Sequence, residues 1–183
     1  MFRKLLDLLL PVPCPCCGGV LASTAISHIC ESCQKSLEII NSMGCSYCGR
    51  PIKSGVFCRR CKGRSTPLDG FYITGIYEGK MRELIINFKF NDARYLTKTL
   101  AELAVETIVS AGISDDYYLI PVPLHPKRER ERGYNQSALL VKHIAHLTGM
   151  RADYRLIKRR KNTIPQTSLG KKERSLNLKG AFT

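Results

Sequence analysis

From residue 71 onward the chain alternates between short apolar runs and longer stretches with helical spacing. "FYITGIY" (71–77) is rich in β-branched and aromatic residues, which predicts a strand. "KMRELIINFKF" (80–90) and "YLTKTLAELAVETIVSAG" (95–112) repeat apolar residues every three or four positions, which predicts two helices, the second closed by Gly112. "YYLIPVP" (117–123) is an apolar strand that Pro121 and Pro123 end or hold at an edge. Asn135 is the expected N-cap of a helix running to about Thr148, with Gly149 as its C-cap. "ADYRLIKRR" (152–160) predicts a third strand, and the last twenty residues have the composition of a loop. Strand, helix, strand, helix, strand is the order of an α/β domain with a parallel sheet.

Ahead of this pattern lies a different composition. "KGRSTPLDG" (62–70) has the character of a linker, and all nine cysteines fall between residues 14 and 61. Eight of them form four C-x-x-C pairs: Cys14/Cys17, Cys30/Cys33, Cys45/Cys48 and Cys58/Cys61. Twelve residues separate the first two pairs and nine the last two. A C-x-x-C turn points both thiolates at one place, and two such turns complete a tetrahedral site. Eight ligands therefore make two structural zinc sites, a tandem zinc ribbon. Disulfides need an oxidising compartment, and a redox C-x-x-C normally occurs once, in a βαβ context. With four protein ligands each, the sites have no open position for chemistry; their task is to fold a segment too small for its own core. Cys16 stands outside the pairing, either as a substitute for Cys14 or Cys17 or as a free thiol. His28 could substitute at a zinc site, but eight cysteines make it unnecessary.

The first fourteen residues, "MFRKLLDLLLPVPC", have the spacing of a short amphipathic helix packed on the protein, with transient membrane contact as the alternative. The apolar run is interrupted by Asp7 and lacks a small-residue cleavage site, so no signal peptide is expected. Nothing approaches the roughly 18 apolar residues of a membrane span. The expected location is the cytoplasm, with the inner face of the membrane as the alternative.

Charge adds a second theme. The chain carries a net charge of +14, concentrated from residue 118 onward, where 15 Lys and Arg face 4 Asp and Glu; residues 1–117 carry 14 against 11. Such asymmetry points to a polyanionic partner. Its centre is "LIPVPLHPKRERERGYNQSALL" (119–140), where Lys127, Arg128, Arg130 and Arg132 fall within six residues. One reading is an exposed helix with i,i+4 charge pairing. The other depends on placement between a strand's end and a capped helix, where ligands of open α/β sheets bind. Helix N-termini and arginines both favour phosphate oxygens, and Gly133 allows close backbone approach. His125 follows the same strand and is a weaker ligand candidate. His143 and His146 lie three apart with no third metal ligand near them in sequence.

The four C-x-x-C pairs, "YEGKMRELIINFKF", "IPVPLHPKRERERGYNQSALL" and the tail "RRKNTIPQTSLGKKERSLNLKGAF" together resemble the ComF family of competence-associated proteins. The resemblance covers nearly the whole chain. It implies a double zinc ribbon with a short N-terminal helix over 1–64, and a type I phosphoribosyltransferase-like domain over 68–183. It also implies 5-phosphoribosyl 1-pyrophosphate (PRPP) as ligand, with Mg²⁺. Arg128, Arg132, Gly133, Asn135 and Gln136 would then hold pyrophosphate, and Arg159, Gln166, Arg174 and Asn177 would lie on a flexible loop that closes over it. The nucleophile of any transfer is not legible.

The chain departs from that pattern. Type I phosphoribosyltransferases continue with an apolar strand ending in two acidic residues and a "TTG"-type loop for the 5′-phosphate. Here the acidic pair Asp115–Asp116 precedes a strand, and no Thr-Thr-Gly occurs. The sequence thus reads as a C-terminally truncated member, inactive in transfer by itself. Three functions compete: a PRPP-binding domain within a protein of DNA uptake and natural transformation, a zinc-stabilised adaptor that binds single-stranded DNA without catalysis, and an inactive remnant. DNA-uptake proteins are the implied protein partners.

Overall fold

The computed structural model describes residues 12–21, 28–164 and 169–183. Most of the predicted N-terminal helix, and Gln166, lie outside the described residues. The chain divides into two compact units, Met1–Ser114 and Asp115–Thr183.

In the first unit a short helix α1 (Glu31–Lys35) precedes strand β1 (Ile39–Met43). Strand β2 (Tyr72–Gly75), helix α2 (Gly79–Phe90), a 3₁₀ turn (Arg94–Leu96) and helix α3 (Thr97–Ser110) follow. The strand predicted over 71–77 thus forms at its centre. Its partner is β1, paired antiparallel as Ile39 with Gly75, Ser42 with Ile73 and Met43 with Tyr72, with a register shift between Ile39 and Ser42. Asn41 sits in that irregularity at φ +37°, a conformation Asn tolerates better than most residues. Its Oδ1 accepts a hydrogen bond of 2.8 Å from the Thr107 hydroxyl on α3, and Thr74 Oγ1 of β2 lies 2.7 Å from the same hydroxyl. Three side chains thereby fasten both strands to α3. The core beside them is apolar: Leu84, Leu96 and Ala101 are fully buried, and Phe88 nearly so. Truncating Leu84 to alanine is expected to cost about 2–5 kcal/mol, from lost transfer energy and the cavity left behind. A denaturation midpoint that falls at constant m-value is the check.

In the second unit, β3 (Tyr118–Leu119) and β4 (Arg151–Ala152) form a parallel pair, Tyr118 beside Arg151 and Leu119 beside Ala152. Parallel pairing requires a crossover, and helices α4 (Pro126–Arg132) and α5 (Gln136–Thr148) supply it. The α/β class with a small parallel sheet is as expected. Helix α5 has the predicted caps. Asn135 Oδ1 accepts from the Ser137 and Ala138 amides at 3.0 and 3.3 Å, and Gly149 takes φ +76°. Asn135→Ala should cost about 1 kcal/mol of stability, measurable by thermal or chemical denaturation.

Two expectations need correction. The strand predicted over 152–160 pairs in parallel only at its first residues. Asp153 Oδ1 accepts from the amides of Arg155 and Leu156 at 2.7 and 3.1 Å, an Asx turn that ends the ladder. The chain then returns as an antiparallel bridge between Arg159 and Phe182, with Arg160 N donating to Ala181 O at 2.9 Å. The C-terminal segment is not all loop either, since Lys171–Leu178 forms helix α6. Glu173 Oε2 accepts from the Gly170 amide at 2.7 Å and fixes its first turn. No helix among the described residues is long and apolar enough to cross a membrane.

Candidate metal centres and a basic cleft

The eight paired cysteines assemble into two tetrads, Cys14/Cys17/Cys30/Cys33 and Cys45/Cys48/Cys58/Cys61, with all four ligand atoms of each within 4.8 Å of one another. Local backbone bonds shape the turns: the Gly18 amide donates to Cys14 O at 2.8 Å and the Gly49 amide to Cys45 O at 2.7 Å. Both glycines take positive φ, at +73° and +70°. Between the paired turns, Cys17 Sγ lies 3.6 Å from Cys30 Sγ, and Cys48 Sγ lies 3.8 Å from Cys58 Sγ. A tetrahedron with Zn–S bonds of about 2.3 Å has edges of about 3.8 Å, whereas a disulfide requires about 2.05 Å. The donor set, thiolate only and four per site, is that of a closed zinc centre.

The electrostatics agree. The Ser32 hydroxyl and then the Cys33 amide hold the Cys30 thiol down to about 6. Burial works against the Cys45 thiolate, but amides of Cys58, Cys48 and Tyr47 outweigh it and bring that thiol to about 6. Burial and neighbouring thiols push Cys33 up, and push Cys61 up to about 12. Each tetrad thus favours some thiolates and resists others, and only a cation lets all four ionise together. Zinc would be held by these eight sulfurs and would supply folding energy at a closed site.

The first tetrad is fastened to α2. Lys80 Nζ donates to Cys16 O at 2.7 Å, and Asn87 Nδ2 donates to Pro15 O at 2.9 Å. Cys16 itself belongs to neither tetrad. It is buried, its Sγ 4.0 Å from Lys80 O, and burial pushes its thiol up to about 12. It is a packing thiol. His28 meets Tyr95 edge-on at 5.5 Å and belongs to no metal cluster among the described residues; nor do His143 and His146.

The basic segment of the second unit is helical. His125 Nδ1 accepts from the Lys127 amide at 3.2 Å at the start of α4, and Gly133 at φ +83° ends it. The residues proposed for pyrophosphate separate into distinct roles. Arg132 Nη1 donates to Gln136 Oε1 at 2.8 Å, and Gln136 is buried. Asn135 caps α5 and its Nδ2 donates to Val122 O at 3.2 Å. Arg128 instead reaches Thr163 O, while Arg159 reaches the Thr163 hydroxyl. Two guanidiniums therefore converge on one buried threonine. Burial and then the charge of Arg128 hold the Arg159 guanidinium below its usual range. Arg159 Nε is buried with no hydrogen-bond partner among the described residues, and Phe182 lies under the group at 5.5 Å.

Beside this pair opens a cleft of about 420 Å³, lined by His125, Tyr154, Lys158, Arg159 and Arg160 among others. The remaining tail residues hold backbone: Arg174 Nε donates to Leu169 O at 3.0 Å and Asn177 Nδ2 to Ile164 O at 2.9 Å. Sequence reasoning named Arg128 and Arg159 in separate groups and missed Thr163, which no local pattern marks.

Comparison with known proteins bears on both halves. Residues 5–62, which contain all eight paired cysteines, match the Double zinc ribbon domain. Over 175 residues, 93% of this chain and 75% of the relative, the sequence is 31% identical to Competence protein F of Haemophilus influenzae. The chain belongs to the ComF family. Other members include DNA utilization protein YhgH of Salmonella typhimurium, 30% identical over 86% of this chain and 72% of that protein. Competence protein ComFC of Bacillus subtilis is 31% identical over 61% of this chain and 49% of its own length. No solved structure matches the chain. Because the ComF likeness to the Haemophilus protein covers 93% of the chain, it takes in the α/β segment as well as the ribbons.

Proposed function

We propose that this ComF-family chain serves DNA uptake or utilisation, and that its C-terminal unit binds a phosphorylated anion of the PRPP class. The first half of this reading is supported by the names of the relatives, which are competence and DNA utilization proteins. The second half is carried by one observation: Arg128 and Arg159 converge on Thr163 against their mutual repulsion. Like charges are held together at a cost that an anion between or beside them would remove. The cleft adds Lys158, Arg160 and His125. Mg²⁺ would accompany PRPP and offset part of its phosphate charge. The proposal is for binding of the anion by Arg128 and Arg159. In this scheme residues 1–64 are a zinc-folded ribbon module and 68–183 the anion-binding domain.

Tyr154, half exposed on the same cleft, favours a second reading in which single-stranded DNA lays a base there and its phosphates on the cations. Calorimetric titration of the full chain with PRPP and Mg²⁺, and separately with an oligothymidylate, decides between them. PRPP binding that requires Mg²⁺ supports the first. Oligonucleotide binding without PRPP binding at millimolar ligand supports the second and removes the first.

A further inference from the structure

The two ribbons share one scaffold and present different surfaces. Within the turns, Pro15–Cys16 of the first corresponds to Ser46–Tyr47 of the second, and Glu31–Ser32 corresponds to Arg59–Arg60. Cys16 is buried against α2, whereas Tyr47 is 50% exposed. Glu31 is paired with Lys35 at 2.6 Å. Arg59 and Arg60 are exposed, and neither has an ion-pair partner among the described residues.

The contrast extends along the sequence. Residues 12–38 carry one Lys against two Glu, while residues 39–68 carry six Lys and Arg and no Asp or Glu. All six cations, Arg50, Lys53, Arg59, Arg60, Lys62 and Arg64, are exposed. The first ribbon shows that the scaffold folds without this charge. Even four thiolates around a divalent ion, a net of two negative charges, leave the second ribbon strongly positive.

The tetrad also brings the aromatic ring and the cations together. Tyr47 comes from one cysteine turn and Arg64 from just beyond the other. Arg64 Nη1 donates to the Tyr47 hydroxyl at 2.9 Å, and its guanidinium carbon stands 4.7 Å from the ring centroid. Arg64 therefore stiffens the ring from one face while half of the residue stays open.

We propose that the second ribbon, through Tyr47 and the cations of 50–64, is a contact surface for single-stranded nucleic acid. Phosphates take the cations, and an unstacked base takes the open part of Tyr47. A duplex offers phosphates but no free base face, so single strands bind more tightly. This surface stands on the ribbon's own charges and does not depend on the anion site of the C-terminal unit.

The test uses the full chain and a fluorescent oligothymidylate, with affinity followed against salt. Arg59→Gln/Arg60→Gln/Lys62→Gln should weaken binding at least tenfold and lower the log–log salt slope by about 2, at about 0.7 per lost single-strand phosphate contact. Tyr47→Leu should weaken binding about five- to a hundredfold and leave the slope nearly unchanged. Two zinc ions per chain and an unshifted melting temperature would show that the variants fold. Arg128→Gln/Arg159→Gln serves as the reference for the other unit, so that loss there and retention here separate the two surfaces. An unchanged affinity and slope in the triple variant overturns the proposal. Loss of binding to anionic phospholipid vesicles with oligonucleotide binding intact overturns it too, and assigns the patch to a membrane.

Discussion

Cys33→Ser is expected to halve the zinc content, from two ions per chain to one, and to take the helices of the N-terminal unit with it. Cys61→Ser should lose one ion as well but leave most of the helical signal. The reason lies in where each tetrad is anchored. The first tetrad is built on buried Cys14 and Cys33, with fully buried Ile29 beside them, and its turn is bonded to α2 through Lys80 and Asn87. The second holds mainly its own loops, through Cys45 N to Arg50 O at 2.8 Å and Ser46 N to Val56 O at 2.9 Å. Structural zinc contributes about 10–16 kcal/mol to the folding of small zinc modules, against a total domain stability of about 5–15 kcal/mol. Loss of the first ion therefore exceeds what the α2–α3 core can absorb. Metal analysis and far-ultraviolet circular dichroism read both quantities. Two ions retained in Cys33→Ser, or an unchanged helical signal, would refute the assignment. The pH dependence has a definite sign. Zinc-bound sulfurs carry no protons, while the metal-free tetrads retain them at Cys33 and Cys61, whose thiols are pushed up. The metal-bound state therefore holds fewer protons, zinc uptake releases them, and zinc-derived stability is lost as pH falls.

What can be read in advance follows the range of the interaction. The tetrads are legible because each C-x-x-C turn closes on itself, and repetition of the spacing supplies the partner turn. Helix α5 is legible to the residue because both its ends rest on single side-chain or backbone preferences, at Asn135 and Gly149. Strand β4 is not. Asp153 looks like one polar position in an apolar run, yet its carboxylate captures two amides and bends the chain. Helix α6 is masked because "KKERSLNL" has almost no apolar face, and its start depends on Glu173 reaching back to Gly170. The partner of β2 is equally hidden, since β1 lies on the far side of the second ribbon and no local pattern joins them. At the candidate anion site, Arg128 and Arg159 are thirty-one positions apart, and Thr163 joins them through its carbonyl and hydroxyl. Composition shows that the segment is basic. Only the fold shows which two cations face each other.

Arg159→Met should weaken binding of a phosphorylated anion by about ten- to a hundredfold, the range for a lost charge-assisted hydrogen bond, while leaving the melting temperature unchanged or higher. Methionine keeps the length of the stem that packs near Phe182 and removes the charge. In the anion-free protein that charge is unfavourable. Burial opposes it, Arg128 repels it, and its Nε is buried without a hydrogen-bond partner among the described residues. Both folded and unfolded chains keep arginine protonated at any accessible pH, so the penalty is constant and no pH window relieves it. A residue of purely structural value would behave oppositely, since its removal would lower stability and change binding only through misfolding. The paired readouts are the melting temperature without ligand and the dissociation constant for PRPP with Mg²⁺, or for inorganic pyrophosphate as the simpler probe. Reduced stability with unchanged affinity would make Arg159 a tether for Thr163 and remove the anion site from this unit. Reduced affinity at equal or greater stability is the signature of a cation kept for its ligand. Arg128→Met then provides the cross-check: because the two guanidiniums repel each other, its removal should make Arg159 easier to accommodate, and the stability effects of the two substitutions should be less than additive.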